Sequence, residues 1–180
     1  MSEVDLVLLA VLLFAGWYLG ASLAARWINR RAVSRCGCEA ARWLGGASSL
    51  YVDLRCGGRR VEVFINRLPW DNPLNLAASL VARRRGYTAV RLKADADLGV
   101  FDASRVGSGR RIGAFYVVNT SGPRWAVEAA AKAGEEAGAW RVTASGGVLQ
   151  LLFPHTDCGR AVQSALTFLE KLPRGPPAGG

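Results

Sequence analysis

The residues best suited to chemistry in this chain are four cysteines and a single histidine. Cys36 and Cys38 form a C-x-C pair, Cys56 lies in a Gly-rich stretch, and His155 precedes Cys158 by three positions. Thiolates and imidazoles are tetrahedral ligands of zinc and other soft metals, so Cys36, Cys38, His155 and Cys158 are candidate metal ligands. Most zinc sites use C-x₂-C pairs, and the C-x-C spacing departs from that pattern.

Two other states of the cysteines fit the sequence equally. The even cysteine count allows one or two disulfides, and the thiols could also stay unpaired as structural residues. Disulfides are rare in an ordinary cytoplasm but occur outside the cell and inside hyperthermophiles. Unpaired thiols, disulfides and a metal- or redox-responsive site therefore all remain open.

Catalytic chemistry has little support in the sequence. General acid–base catalysis usually needs a histidine or a close carboxylate pair, and the chain has one histidine. It contains no Gly-x-Ser-x-Gly nucleophile motif and no phosphate-binding Gly-Lys-Ser/Thr motif. Asp95, Asp97 and Asp102 alternate in a polar stretch but lack the glycine and terminal glutamate of a calcium loop. The sequence predicts a non-enzymatic protein without a cofactor.

Arginine clusters are the candidate sites for an anion or a protein partner. The chain has 23 basic and 14 acidic residues, a net charge of +9. The clusters are Arg59 and Arg60; Arg83, Arg84 and Arg85; and Arg110 and Arg111. Guanidinium groups recognise carboxylates and phosphates through paired hydrogen bonds. The predicted partners are therefore anionic lipid or an acidic protein surface, with nucleic acid as the alternative. Abundant Ala, Gly and Arg are also typical of a GC-rich genome.

An uncharged apolar stretch runs from Leu6 to Ala25. Its 20 residues, at about 1.5 Å rise per helical residue, cover about 30 Å, the thickness of a bilayer's hydrocarbon core. A buried helix of a soluble domain would show a polar stripe over this length. The stretch predicts a single-pass transmembrane helix within an anchor that comprises residues 1–31.

Charged residues on either side of this span predict its orientation. Glu3 and Asp5 precede it, and four arginines follow it: Arg26, Arg30, Arg31 and Arg35. Positive flanks stay in the cytoplasm, so we expect the N-terminus outside the cell and the C-terminal domain in the cytoplasm. The alternative is a cleaved signal peptide, since Ser-Leu-Ala at 22–24 is an acceptable cleavage site. Against it, the preceding segment is acidic and the apolar stretch is unusually long.

Small residues recur every fourth position within the span, at Gly16, Gly20 and Ala24. They share one face of a helix, and such a face lets two transmembrane backbones approach closely. Glycine and alanine are also common in transmembrane helices in general. Homo-oligomerisation through this face is a hypothesis.

The remaining chain divides into three parts. Residues 32–46 are predicted as a membrane-proximal helix or linker, and a helix could continue to residue 44 with a break at Gly37. Residues 47–172 are predicted as the soluble domain. Residues 173–180, PRGPPAGG, bury nothing and are predicted as a disordered tail.

Hydrophobic periodicity divides the soluble domain into strands and helices. A period of two on both sides of Gly57-Gly58 predicts a β-hairpin, and a second hairpin is predicted about 145–147. The elements between and after them are helix 73–85, strand 87–93, a polar loop at 94–110, strand 112–119, helix 123–137, strands 140–144 and 147–153, and a helix from 156 or 157.

The helix at 73–85 has clear start and stop signals. Asn72 can cap it, Pro73 fits its first turn, and Gly86 can close it. The arginines at 83–85 suit the negative end of the helix dipole. Its apolar stripe consists of Leu74, Ala77, Ala78 and Val81.

The strand–helix–strand order occurs twice, at 61–93 and at 112–144. Each half begins with a similar segment, Gly-Arg-Arg-Val at 58–61 and Gly-Arg-Arg-Ile at 109–112. This βαββαβ order predicts an α+β domain with a mixed β-sheet and helices packed on it. The arrangement resembles the ferredoxin-like fold, with an extra strand before it and a strand and a C-terminal helix after it. Other mixed-sheet sandwiches with this order remain open.

These observations favour a non-enzymatic, single-pass membrane protein that presents a basic cytoplasmic domain for protein binding or assembly. The alternative is a membrane-tethered nucleic-acid-binding module that uses the same arginines. For that alternative, the strand with Phe115 and Tyr116 resembles an RNA-binding sheet strand, but adjacent residues point to opposite faces. Phe64 and Phe115 are predicted to be core residues.

Overall fold

The computed structural model of the protein describes residues 2–95, 97–119 and 121–172. The predicted tail at 173–180 lies outside the described residues. Four helices and nine strands lie within the described ranges: α1 Glu3–Ser34, β1 Glu39–Gly45, β2 Ser49–Cys56, β3 Arg59–Asn66, α2 Pro73–Val81, β4 Tyr87–Lys93, β5 Phe101–Ser104, β6 Arg110–Ile112, β7 Phe115–Asn119, α3 Arg124–Glu136, β8 Arg141–Ser145, β9 Val148–Phe153 and α4 Cys158–Lys171. The fold class is α+β, as predicted.

The strands form one sheet in the order β1-β2-β3-β4-β9-β8-β5-β7-β6. Every pairing among these described strands is antiparallel, so the predicted mixed sheet is wrong. The connection through α2 is an excursion, because β3 and β4 are adjacent and antiparallel. A crossover would have made them parallel. The ferredoxin-like arrangement is not confirmed, although β7 and β8 do flank β5 in parallel directions.

The two predicted hairpins are confirmed as β2–β3 and β8–β9. Each closes through a Gly-Gly pair with positive φ at both residues, 58° and 81° at Gly57 and Gly58 and 56° and 73° at Gly146 and Gly147. Two left-handed residues match the right-handed twist of the flanking strands. Glycine reaches this conformation without steric cost, so these pairs fix where each hairpin turns.

Helix α1 is continuous over 32 residues and begins with a capping box between Ser2 and Asp5. It ends at Ser34, and residues 39–45 form the edge strand β1 instead of continuing the helix. Gly37 has a φ of 77°, which lies in the left-handed region and ends the helical path. The predicted helix to residue 44 is therefore replaced by a turn and a strand.

The second half of α1 packs against the domain through a seam at every fourth residue. Ala21, Ala25 and Asn29 are buried along this seam. The Asn29 side-chain amide donates to the Gly46 carbonyl at 2.9 Å and accepts from the Arg67 guanidinium at 2.6 Å. Partial burial lowers the pKa of Arg67. A buried polar pair thus fixes where α1 meets the sheet.

We expect the substitution Asn29→Ala to loosen this joint. The Arg67 guanidinium would lose its 2.6 Å acceptor in a partly buried position, which costs about 1–3 kcal/mol. Thermal unfolding of the full chain in detergent micelles should show a lower midpoint. Asn75→Ala on α2 is the matched control, because the Asn75 side chain is exposed. Equal midpoints for the two variants would contradict this account of the joint.

Helices α3 and α4 cover one face of the sheet and build the core. The strand residues beneath them alternate with outward-facing residues, as in Leu50, Val52 and Leu54 of β2. Phe115 and Phe168 are fully buried between these layers. The opposite face carries no helix among the described residues, and we call it the open face.

Candidate functional site

The four cysteines form two disulfides, Cys36–Cys158 and Cys38–Cys56. Their Cα–Cα distances are 4.9 Å and 5.1 Å, within the range that a disulfide spans. The first joins the end of α1 to the start of α4, and the second joins the start of β1 to the end of β2. The C-x-C pair is thus divided between two bonds that hold α1 and the edge strand to the domain.

This pairing replaces the candidate metal site. Disulfide sulfurs no longer offer the thiolates that a soft metal needs. Within the described ranges, the structure gathers no group of three or more His, Cys, Asp and Glu residues that could hold a metal ion. His155 stacks on Phe153 with ring centroids 5.7 Å apart, and partial burial lowers its pKa. Its backbone carbonyl accepts from Thr88, so this region is structural.

The arginine clusters lie apart from one another. Arg59 forms a bidentate ion pair with Asp95 at 2.7 and 2.8 Å, which raises the pKa of Arg59. Arg110 contacts Glu128 at 3.2 Å beside α3. Arg111 donates to the Gly113 carbonyl within its own turn. The arginines at 83–85 follow α2 and are exposed. The three arginine clusters therefore occupy separate regions of the structure.

The open face of the sheet carries an aromatic group that the sequence did not reveal. Tyr51, Phe64 and Tyr87 lie on the adjacent strands β2, β3 and β4. Phe64 faces Tyr51 in register, is 39% exposed, and lies 6.4 Å from the Tyr87 ring. The prediction that Phe64 is a core residue is wrong, whereas Phe115 is fully buried as predicted. A strict period of two along β3 would have placed Phe64 opposite its buried neighbours Val63 and Ile65.

Charged residues of both signs surround these rings on the open face. Arg60 pairs with Asp53 at 2.9 Å and Glu62 at 3.3 Å. Farther along the sheet, Arg141 of β8 forms a bidentate pair with Asp102 of the adjacent strand β5, and each of these ion pairs raises the pKa of its arginine. Arg91 lies in register between Glu62 and Gln150. The remaining face residues of the same rows include Leu152, Thr143 and Tyr116.

This arrangement is an amphipathic surface, with aromatic and charged side chains on one face of the sheet. Exposed aromatic rings supply apolar contact area at low entropic cost, and arginines beside them supply directional hydrogen bonds. The carboxylates hold Arg60 and Arg141 in fixed positions. The open face therefore combines apolar rings with arginines held by ion pairs.

A pocket of about 450 Å³ opens at the opposite end of β3 from α2, beside the Cys38–Cys56 disulfide. Its ionisable lining groups are Arg59, Asp95 and Glu170, and the first two form the ion pair described above. Both carboxylate oxygens of Asp95 accept from the Arg59 guanidinium, so this ion pair forms part of the pocket wall.

The small-residue face of α1 is open over its first two positions. A Cβ added at Gly16 or Gly20 would have nothing within 4 Å. Ala24 is half-buried beside the seam that Ala21 and Ala25 form with the domain. Two small-residue seams thus run along α1, and the sequence had indicated one of them.

Comparison with known proteins finds no match. No protein-family model matches the chain, and neither a curated protein nor a solved structure is similar to it. Functional inference accordingly rests on the geometry of α1 and of the open face.

Proposed function

We propose that this chain is a non-enzymatic, membrane-tethered module whose open face binds another protein at the membrane. The observation that carries the proposal is the aromatic group of Tyr51, Phe64 and Tyr87 on a helix-free sheet face. Helix α1 supports the tether, because it is long and apolar enough to cross a bilayer. A sheet held rigid by helices on one side is a suitable platform for a partner on the other.

The charges of the open face favour a protein over a polyanion as the partner. Nucleic-acid surfaces present uncompensated positive charge to successive phosphates. Here Arg60 and Arg141 are neutralised by Asp53, Glu62 and Asp102. A protein with an acidic and apolar surface can exchange these ion pairs for its own at little cost.

Nucleic acid is the second candidate, and one observation favours it. Phe64 and Tyr87 present aromatic rings on an antiparallel sheet backed by helices, which is the geometry on which RNA-recognition modules stack bases. The two candidates differ in their salt dependence. Binding to nucleic acid should weaken steeply as salt rises, whereas binding to a mixed-polarity protein surface should weaken only slightly.

Photo-crosslinking in intact cells tests the proposed surface. Benzoylphenylalanine placed at Phe64 or at Tyr87 should yield a discrete crosslinked protein in the membrane fraction. The same probe at Gln163, exposed on α4 on the other side of the sheet, is the control and should not. Crosslinks that are sensitive to nuclease would favour the second candidate. Equal labelling at Phe64 and Gln163 would contradict a binding role for the open face.

We further propose that the domain lies on the cytoplasmic side, because four arginines follow the span and two acidic residues precede it. Two disulfides in a cytoplasmic domain fit an organism that maintains intracellular disulfides, such as a hyperthermophile. A membrane-impermeant amine reagent should leave Lys93 and Lys132 unlabelled until the cells are lysed. Labelling in intact cells would place the domain outside.

We also propose that two copies of the chain associate through the small-residue face of α1 that contains Gly16, Gly20 and Ala24.

A further inference from the structure

Helix α2 has the opposite burial pattern from a core helix, with a polar residue buried and large apolar residues exposed. Its buried residue is the polar Ser79, while Leu74, Leu80 and Val81 are 72%, 58% and 86% exposed. The predicted apolar stripe of this helix thus faces outward. Large apolar side chains grouped on one exposed helix indicate a surface that meets something apolar.

The position of α2 beside α1 indicates what this apolar surface meets. The Trp17 indole of α1 donates to the Trp70 carbonyl at 3.1 Å, three residues before α2 begins. The Trp70 indole in turn donates to the Ala47 carbonyl at 2.9 Å and ties this loop to the domain. Tyr18 of α1 and Leu74 of α2 line one cleft. The loop before α2 is therefore bonded to the middle of the apolar stretch of α1, and α2 lies beside α1 across this cleft.

The depth of α2 in the bilayer follows from the length of α1 and the thickness of the hydrocarbon core. The span from Leu6 to Trp17 covers about 17 Å of helix, whereas the hydrocarbon core is about 30 Å thick. The rest of the apolar stretch, from Trp17 to Ala25, covers about 12 Å. If residues 6–25 of α1 cross the bilayer, Trp17 therefore lies about 12 Å inside the hydrocarbon boundary on the domain side. The Trp70 carbonyl, which accepts from the Trp17 indole, then lies within the hydrocarbon layer as well. Leu74, Leu80 and Val81 would meet acyl chains there, where their exposure is favourable.

Three exposed arginines follow α2 directly, at positions 83–85. The Arg84 amide donates to the Ser79 carbonyl and the Arg83 amide to the Leu80 carbonyl, and Arg83 has a left-handed φ of 50°, so the first two arginines of the cluster cap the end of the helix. Guanidinium groups next to an apolar helix suit the level of lipid headgroups, because basic groups are attracted to an anionic membrane surface.

We propose that α2 is a second membrane element, a short helix that inserts its apolar side into the bilayer beside α1 and ends at the level of the lipid headgroups. Arg83, Arg84 and Arg85 bind the phosphates of anionic lipids at its end. The domain is then attached at two points and held in one orientation, with the Trp17–Trp70 contact between them. This proposal rests on the membrane tether proposed above and adds the lipid contact.

Depth-dependent quenching in vesicles tests this insertion. The full chain is reconstituted into phosphatidylcholine vesicles with about a quarter phosphatidylglycerol. Dansylalanine is incorporated genetically at Val81, and in a control protein at Ser145, which is exposed at the far end of the β8–β9 hairpin. Lipids brominated on their acyl chains should quench the probe at 81 several-fold more than the probe at 145, and aqueous iodide should show the reverse.

Each outcome decides a different part of the proposal. Probes at 81 and 145 that are equally open to iodide, on protein that floats with the vesicles, would overturn the insertion of α2 and leave the tether intact. Energy transfer between probes at 81 on two chains, with quenching by neither agent, would assign this face to a second copy and also overturn it. Protein that fails to float would overturn both the tether and the insertion. Replacing Arg83, Arg84 and Arg85 with Gln should reduce bromolipid quenching in anionic vesicles more than in neutral ones.

Discussion

Replacing Cys36 and Cys158 together with alanine is expected to lower the free energy of unfolding by about 5 kcal/mol, because their disulfide closes a loop of 122 residues. The bond restricts the unfolded chain over most of the domain, so its loss adds conformational freedom to the unfolded state. It also joins α1 to α4, and its removal should make the turn after Ser34 sensitive to protease. Denaturant titration of the full chain in detergent, followed by tryptophan fluorescence, measures the change.

The second disulfide provides a matched control. Cys38 and Cys56 are 18 residues apart, and the same relation gives about 3 kcal/mol for the paired replacement with alanine. This variant should free the edge strand β1 and leave the attachment of α1 to α4 intact. Equal losses for both paired variants, or free thiols in the unreduced parent protein, would contradict the disulfide pairing described here.

The substitution Phe115→Ala is expected to cost about 3–5 kcal/mol of stability, because it empties a fully buried site between the sheet and α3. The ring lies beside Gly134 of α3 and under the Arg105 guanidinium, in the layer between the sheet and the helices. The midpoint of denaturant unfolding should fall, with little change in its slope.

Phe64→Ala removes the same type of side chain from the open face. Comparing it with Phe115→Ala distinguishes a loss of stability from a loss of partner binding. The Phe64 ring is 39% exposed and contacts Tyr87, so its loss should cost less stability than the loss of the Phe115 ring. It should instead weaken the crosslink formed from a probe at Tyr87. A stability loss at Phe64 equal to that at Phe115 would place Phe64 in the core and remove the basis for the open face.

Local patterns predicted much of the fold. Gly-Gly pairs placed both hairpins because two left-handed residues suit tight antiparallel turns. Asp157 and Asn72 marked helix starts, and their side chains do accept the expected backbone amides. The length and hydropathy of residues 6–25 gave α1. Each of these features depends on residues near one another in the sequence.

The misplaced features depend on distant contacts. Strand β5 lies inside the predicted polar loop, because four residues with alternating burial are too short a signal beside several Asp and Gly. Sheet order could not be derived, since the return of β4 beside β3 is determined by pairing and not by element order. The buried seam of α1 was missed because Asn29 gains its role only from Arg67 and Gly46.

The open face is the part of the candidate site that could not be predicted from the sequence. Arginine clusters are visible as runs in the chain, but their ion pairs with Asp95 and Glu128 appear only after folding. The aromatic group draws one residue from each of three strands. A pattern read along one strand cannot show which residues of the next strand lie opposite.

The measurement that tests the membrane-tethered module most directly is alkaline carbonate extraction combined with the intact mass of the chain. We predict that the full-length protein stays in the carbonate-washed membrane pellet with residues 2–25 present. A variant that begins at Arg26 should be released to the supernatant. A wild-type protein found in the supernatant, or one shortened after Ala24, would contradict the tether and make α1 a cleaved leader instead.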